Sequence, residues 1–192
     1  MNNDISSALR PALVLTLLFA LLLGIGYPLA MTGIGQMLFP GAANGSLVTE
    51  NGKVIGSTVV GQAFVSDRYF QTRPSAAGKG YDGLSSSGSN LGPASQALVD
   101  RVTPDVGKRR AQGITAIPAD LVTASGSGLD PDLSPAAATV QVPRIARVRN
   151  LSQRRVRALV DGAIEAPLAG VLGEPRVNVL ALNRALDRIS PN

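Results

Sequence analysis

The chain has 192 residues, 45% of them hydrophobic and 16% charged, which suits one folded domain plus a membrane segment and argues against general disorder. Its net charge of +5 is carried mostly by arginine, with Lys53, Lys79 and Lys108 the only lysines; such a balance fits anionic lipid, an acidic protein face or nucleic acid. Cysteine and histidine are absent, which removes disulfides, zinc sites built on those residues, and Ser-His-Asp or Cys-His catalysis, while 4% aromatic content leaves few platforms for stacking bases.

In chain order, the first element is a membrane helix. No charge falls between Arg10 and Glu50, and the apolar run Ala12–Leu23 continues to Met31. A run of about 20 apolar residues crosses the hydrocarbon core as a helix, because a lone segment must satisfy its backbone internally. Arg10 marks the cytoplasmic side under the positive-inside bias. The expected organisation is residues 1–10 cytoplasmic, 11–35 transmembrane and 36–192 an extracytoplasmic domain. The competing reading is a cleaved signal peptide, but the apolar stretch outruns the roughly 7–15 residues of a signal-peptide core. Ala20, Gly24 and Pro28 recur at i, i+4 and i+8, a stripe that lets another helix approach closely; against this, Gly and Ala are common in membrane helices generally.

Phe39–Gly45 is rich in helix breakers and marks the exit from the membrane. Asn51-Gly52, between the β-branched runs Leu47-Val48 and Val54-Ile55, predicts a hairpin. Ser75–Pro93 is dense in Gly and Ser and reads as a flexible linker, long enough to be functional. A short helix is expected over Pro93–Val102, with a fresh helix start at Thr103-Pro104. Ile114–Thr123 resembles an edge strand interrupted by Pro118, and Ser134-Pro135 a capped helix start. The clearest soluble helix begins at Ser152, with Val156, Leu159, Val160, Ala163 and Ile164 at helical spacing. Val177, Val179 and Ala181 predict a last strand, and Asn183 the cap of a last helix carrying Leu186 and Ile189. Interspersed helices and strands make this a mixed α/β (α+β) domain on a single N-terminal transmembrane helix.

The chemical motifs are sparse. Gly52-Lys53 and Gly107-Lys108 lack the upstream glycine of a phosphate loop, so Ser87–Asn90 remains as a backbone anion nest or a plain loop. Arg144, Arg147, Arg149, Arg154, Arg155 and Arg157 form either a solvated basic face or a surface for an acidic partner, lipid phosphate or nucleotide. A Ser–Lys dyad around Lys79 has no nucleophile signature beside it. The residues by themselves show no catalytic apparatus, no metal site and no cofactor.

A series of short motifs in fixed order resembles a known family. They include Gly56-Ser57 with Gly61-Gln62 and Phe64, then Tyr69-Phe70 with Arg73-Pro74-Ser75, Ser87–Pro93, Leu121–Pro131, Gln141–Leu151, Gly173–Asn178 and Leu182–Asp187. In this order they resemble the C subunit of the Kdp-type potassium-transporting P-type ATPase, a bacterial inner-membrane pump, from the anchor to the C-terminus. Asp132 departs from the histidine that many relatives carry. The resemblance implies an accessory subunit of a high-affinity potassium uptake pump, beside a channel-like potassium-binding subunit, a P-type ATPase subunit and a small single-helix subunit. The D-K-T-G-T phosphorylation motif is absent, so this is not the ATP-hydrolysing chain. Two mechanisms follow from the resemblance. In one, the domain assembles with and stabilises its partner subunits, with Ala20, Gly24, Pro28, Gln62, Phe64, Arg73, Ser87, Ser89 and Asn90 as candidate contacts and the Ser75–Pro93 loop ordered by the partner. In the other, Leu151, Ser152 and Gln153 touch ATP held with the ATPase subunit and raise its affinity. An extracytoplasmic domain, away from cytosolic ATP and nucleic acid, favours the first. A free-standing anchored binding protein is a third possibility.

Overall fold

The computed structural model describes residues 2–189 and divides into two compact units, residues 1–47 and 48–192. In the first unit, helix α1 (Asn2–Leu21), a π-helical turn (Leu22–Gly26) and helix α2 (Tyr27–Leu38) run on continuously. The Tyr27 N–H reaches back five residues to Leu22 O at the end of the π turn. Pro28 explains its position: proline has no N–H to donate, and its ring crowds the carbonyl one turn earlier, so the helix widens there. Ser7–Leu38 is long and apolar enough to cross a membrane, and its side chains are exposed throughout in the isolated chain. At about 1.5 Å per residue, its 32 residues exceed the hydrocarbon thickness of about 30 Å. After Phe39, a single helical turn, α3 (Pro40–Ala43), folds back, and the Asn44 and Gln36 amides exchange hydrogen bonds of 2.9 and 3.3 Å.

The second unit is the α+β domain. Strands β1 (Leu47–Glu50) and β2 (Lys53–Ser57) form the predicted hairpin. Asn51 and Gly52 have φ of 50° and 76°, the paired positive values that match a tight turn to strand twist. Helix α4 (Gln96–Ala111) follows the Gly/Ser loop, with a 3₁₀ turn at Ala119–Leu121. Then come β3 (Asp132–Leu133), α5 (Pro135–Thr139), α6 (Val142–Val148), α7 (Gln153–Gly162), β4 (Ile164–Glu165), β5 (Arg176–Asn178) and α8 (Val179–Ile189). The small antiparallel sheet has the order β3-β5-β4, with Leu133 opposite Val177 and Val177 opposite Ile164. Phe70, Leu121, Ile145, Val156, Val160, Val177, Leu182 and Leu186 are fully buried in one core that α5 to α8 surround.

Ser134 caps α5 as expected, and Ser152, where a helix was expected to begin, caps α7, each hydroxyl accepting from the N–H three residues on, at 3.0 and 3.3 Å. Four expectations are corrected. Residues 96–111 are one helix with Pro104 inside it, not two; the cost of one absent N–H is accepted on an exposed face. Ile114–Thr123 is not a strand: Ile114 and Leu121 turn into the core from irregular backbone around Pro118. Ile164 leaves the α7 stripe to start β4 and is 40% exposed. The strand ends at Asn178 and α8 starts at Val179, so the apolar alternation through Ala181 belongs partly to a helix. Asn178 caps it, accepting from Ala181 N–H at 3.1 Å, while Asn183 is buried inside the helix.

Candidate functional site

The most heavily organised feature is the segment Asp67–Ser75, a turn at Asp67–Arg68 followed by irregular backbone that pairs with no strand. Buried backbone must still be satisfied, and here side chains do it. The Arg144 guanidinium donates to the carbonyls of Asp67 and, at 3.0 Å, Tyr69. Arg149 donates to Arg68 O at 3.0 Å and Asp187 Oδ1 at 2.6 Å, with its guanidinium 4.9 Å from the Tyr69 ring centre. Asn183 takes both backbone groups of Phe70: Phe70 N–H donates to Oδ1 at 2.8 Å and Nδ2 donates to Phe70 O at 3.0 Å. Gln141 does the same for Gln71, at 2.9 and 3.0 Å. The Asn and Gln amides thus replace the neighbouring strand that the segment lacks.

This corrects the basic-face reading for two arginines. Arg144 and Arg149 are each 5% exposed and donate to carbonyls of this segment, with Arg144 also bonding Gln141 and Arg149 bonding Asp187, whereas Arg147, Arg154, Arg155 and Arg157 stay exposed. Burial, together with nearby Arg109 and Arg147, lowers the Arg144 pKa to about 10 against the opposing pull of Asp67. Their role in the fold was missed because their partners lie 38 to 81 residues away in the chain.

The segment then meets the Gly/Ser loop. Arg73 pairs with Asp130 at 2.8 Å, and Tyr81 donates its hydroxyl to Arg73 O at 2.7 Å. Burial raises the Tyr81 pKa. Ser75 Oγ donates to Gly128 O at 2.6 Å and accepts from Tyr81 N–H at 2.7 Å, while Ser87 N–H donates to Ser127 O at 2.9 Å. Gly128, at φ +67°, lies so close that a Cβ there would be 2.6 Å from Ala77 N and Ser87 O. The loop read as a flexible linker is therefore fastened by the chain itself to residues 125–130.

The candidate contact residues are dispersed. Arg73 and Ser87 are engaged in these internal bonds, and Phe64 packs on the core with its ring centre 5.8 Å from that of Tyr69. Gln62 lies under Gly56 and accepts at its carbonyl from Thr72 at 3.3 Å. Ser89 is half-buried and Asn90 exposed, with φ 52°. Ala20, Gly24 and Pro28 are exposed on the membrane-span helix, with Gly24 inside the π turn. Of the candidate nucleotide residues, Leu151 packs against the core, Ser152 caps α7 and Gln153 is exposed. Lys79 is exposed and bonded to none of the neighbouring serines, and Ser75 is already saturated. Among the described residues no group of three or more Asp or Glu is placed to hold a metal. Asp132 is half-buried between Asn178 Nδ2 at 3.1 Å and Arg176 Nε at 3.3 Å, and burial raises its pKa.

A family model described as "KdpC: K+-transporting ATPase, c chain" matches residues 9–188. The potassium-transporting ATPase KdpC subunit of Caulobacter vibrioides is 55% identical over 187 residues, covering 96% of this chain and 95% of that protein. That of Bradyrhizobium diazoefficiens is 52% identical over 193 residues, covering 94% and 96%. A Rhodopseudomonas palustris subunit is 54% identical over 192 residues, covering 93% and 96%. With most of its length matched by the model and by each of these relatives, the chain belongs to the KdpC family, the c chain of K+-transporting ATPases.

Proposed function

We propose that this chain is an accessory subunit that assembles with and stabilises the potassium-translocating and ATP-hydrolysing subunits of such a pump. On this reading Ser7–Leu38 anchors it in the bacterial inner membrane and the domain lies outside the cytoplasm. The observation that carries the proposal is the way the polar side chains are spent. Arg144, Arg149, Gln141 and Asn183 hold the chain's own backbone, and Ser75 is saturated in holding the loop. A domain that commits these buried side chains to holding a fixed shape is suited to packing against partners rather than to chemistry. The single helix supplies a second surface, in the membrane, for those partners.

ATP binding through Leu151–Gln153 draws less support, because the Leu151 side chain is in the core contacts and the Ser152 hydroxyl holds Arg155 N–H. The test is pump assembly with and without this chain. Pull-down through a tag on the ATPase subunit should recover the potassium-binding subunit in stable association only when this chain is present. Full assembly and potassium uptake without it would reject the proposal. Gln153→Ala, an exposed change, should leave the ATP affinity of the assembled pump unaltered.

A further inference from the structure

A cleft of about 200 Å³ opens beside the segment described above, lined among others by Phe64, Thr72, Arg73, Asp105, Lys108 and Arg109. One of its lining residues is a buried charge. Arg109 is only 6% exposed, yet its guanidinium meets no carboxylate among the described residues. Nη1 donates to two neutral amide oxygens, Gln71 Oε1 at 2.7 Å and Gln112 Oε1 at 3.3 Å, and Nε is sealed from solvent with no acceptor. A buried cation with no carboxylate in contact is costly, and Asp105, one turn earlier in the helix, offsets the burial of Arg109 only in part. Lys108, the next residue, is exposed on the same cleft and makes no hydrogen bond or ion pair among the described residues.

We propose that this cleft binds a carboxylate, seated against Arg109 and Lys108. The charge balance selects the ligand class. Arg73 is neutralised by Asp130, so Arg109 and Lys108 against Asp105 leave one net positive charge. A monoanion restores neutrality, a charge that a carboxylate carries throughout the neutral range, whereas phosphate there is partly a dianion that overshoots beside Asp105. The volume accommodates a small carboxylate or an acidic side chain and is too small for a nucleotide. Arginine suits this ligand because its planar donors match the two oxygens of a carboxylate. The carboxylate has two possible sources, a small organic acid from solution or an Asp or Glu of a partner subunit; only the second rests on the assembly proposed above.

The experiment uses the full chain in detergent with ¹³C-carboxyl acetate as probe, at constant ionic strength set with chloride. Wild type should broaden the acetate resonance saturably. Lys108→Ala should weaken this at least fivefold while leaving the melting temperature of the ligand-free chain unchanged, and Lys79→Ala, away from the cleft, should leave binding intact. No saturable broadening by wild type, or equal broadening by Lys108→Ala, overturns the proposal whatever happens to pump assembly. Repeating the titration on the assembled complex identifies the source. Continued acetate binding there identifies a free acid, and loss of binding together with weaker subunit retention in Lys108→Ala identifies a partner's side chain.

Discussion

Asn183→Ala removes one side chain that satisfies two buried backbone groups. Asn183 is 2% exposed and Phe70 fully buried, and the bonds to Phe70 N–H and O are 2.8 and 3.0 Å. Water cannot replace the amide without opening the core beside Leu182 and Leu186. Leaving a buried donor or acceptor unsatisfied costs about 1–3 kcal/mol, so two of them cost about 3 kcal/mol, discounted from the sum of the upper values for local relaxation. For a unit of this size, about 3 °C of melting temperature corresponds to each kcal/mol, which gives a fall of about 10 °C. The assay is thermal unfolding of the full chain in detergent, followed by far-ultraviolet circular dichroism against the constant signal of the membrane helix. Asn183→Asp should not rescue it, because a carboxylate accepts from Phe70 N–H but presents a second acceptor to Phe70 O. A fall of less than about 3 °C in Asn183→Ala would refute the reasoning that side chains stand in for a strand along this segment.

Two further predictions concern the loop and the sheet. Gly128→Ala places a Cβ against backbone atoms of both Ala77 and Ser87, so the loop should detach and tryptic cleavage after the exposed Lys79 should accelerate several-fold; an unchanged cleavage rate would contradict the fastening described here. Asp132 has a folded-state pKa above its ordinary value of 3.8, chiefly through burial, so the folded state holds its proton more tightly than the unfolded chain. Its contribution to stability is therefore most favourable below pH 3.8 and declines as pH rises through the folded pKa. Asp132→Asn should raise the melting temperature at pH 7 relative to wild type, and the difference should vanish below pH 3.8; a lower melting temperature for Asp132→Asn at pH 7 would show that the ion pair with Arg176 outweighs burial.

What could be read from the sequence was local. Asn51-Gly52 specifies its turn through its own φ preference, and Ser134 and Ser152 cap their helices through N–H groups three residues away. The apolar length of the first helix needs no partner to be recognised. Some errors were local misassignments, and the larger ones arose where distant contacts decide the structure. Pro104 continues a helix that the pattern would end, and Val179 begins α8 because Asn178 caps it. Arg144, Arg149 and Asn183 look like surface residues or caps until Asp67–Gln71, 75 to 113 residues away, is folded beneath them. The ordered family motifs around Tyr69, Phe70, Arg73, Gln141 and Asn183 mark this same interlock, although nothing in their spacing reveals that they meet. The carboxylate cleft was equally hidden, since Gly107-Lys108 fails as a phosphate loop and Arg109 is an ordinary helix residue by its neighbours alone.

The side of the membrane on which the domain lies decides between a stabilising subunit and one that works on cytosolic ATP. The absence of cysteine makes a single probe clean, and Leu84, 98% exposed on the Gly/Ser loop, is a suitable place for it. In Leu84→Cys, a membrane-impermeant maleimide should label the chain in intact cells as fully as after lysis; labelling that appeared only after lysis would contradict the extracytoplasmic account.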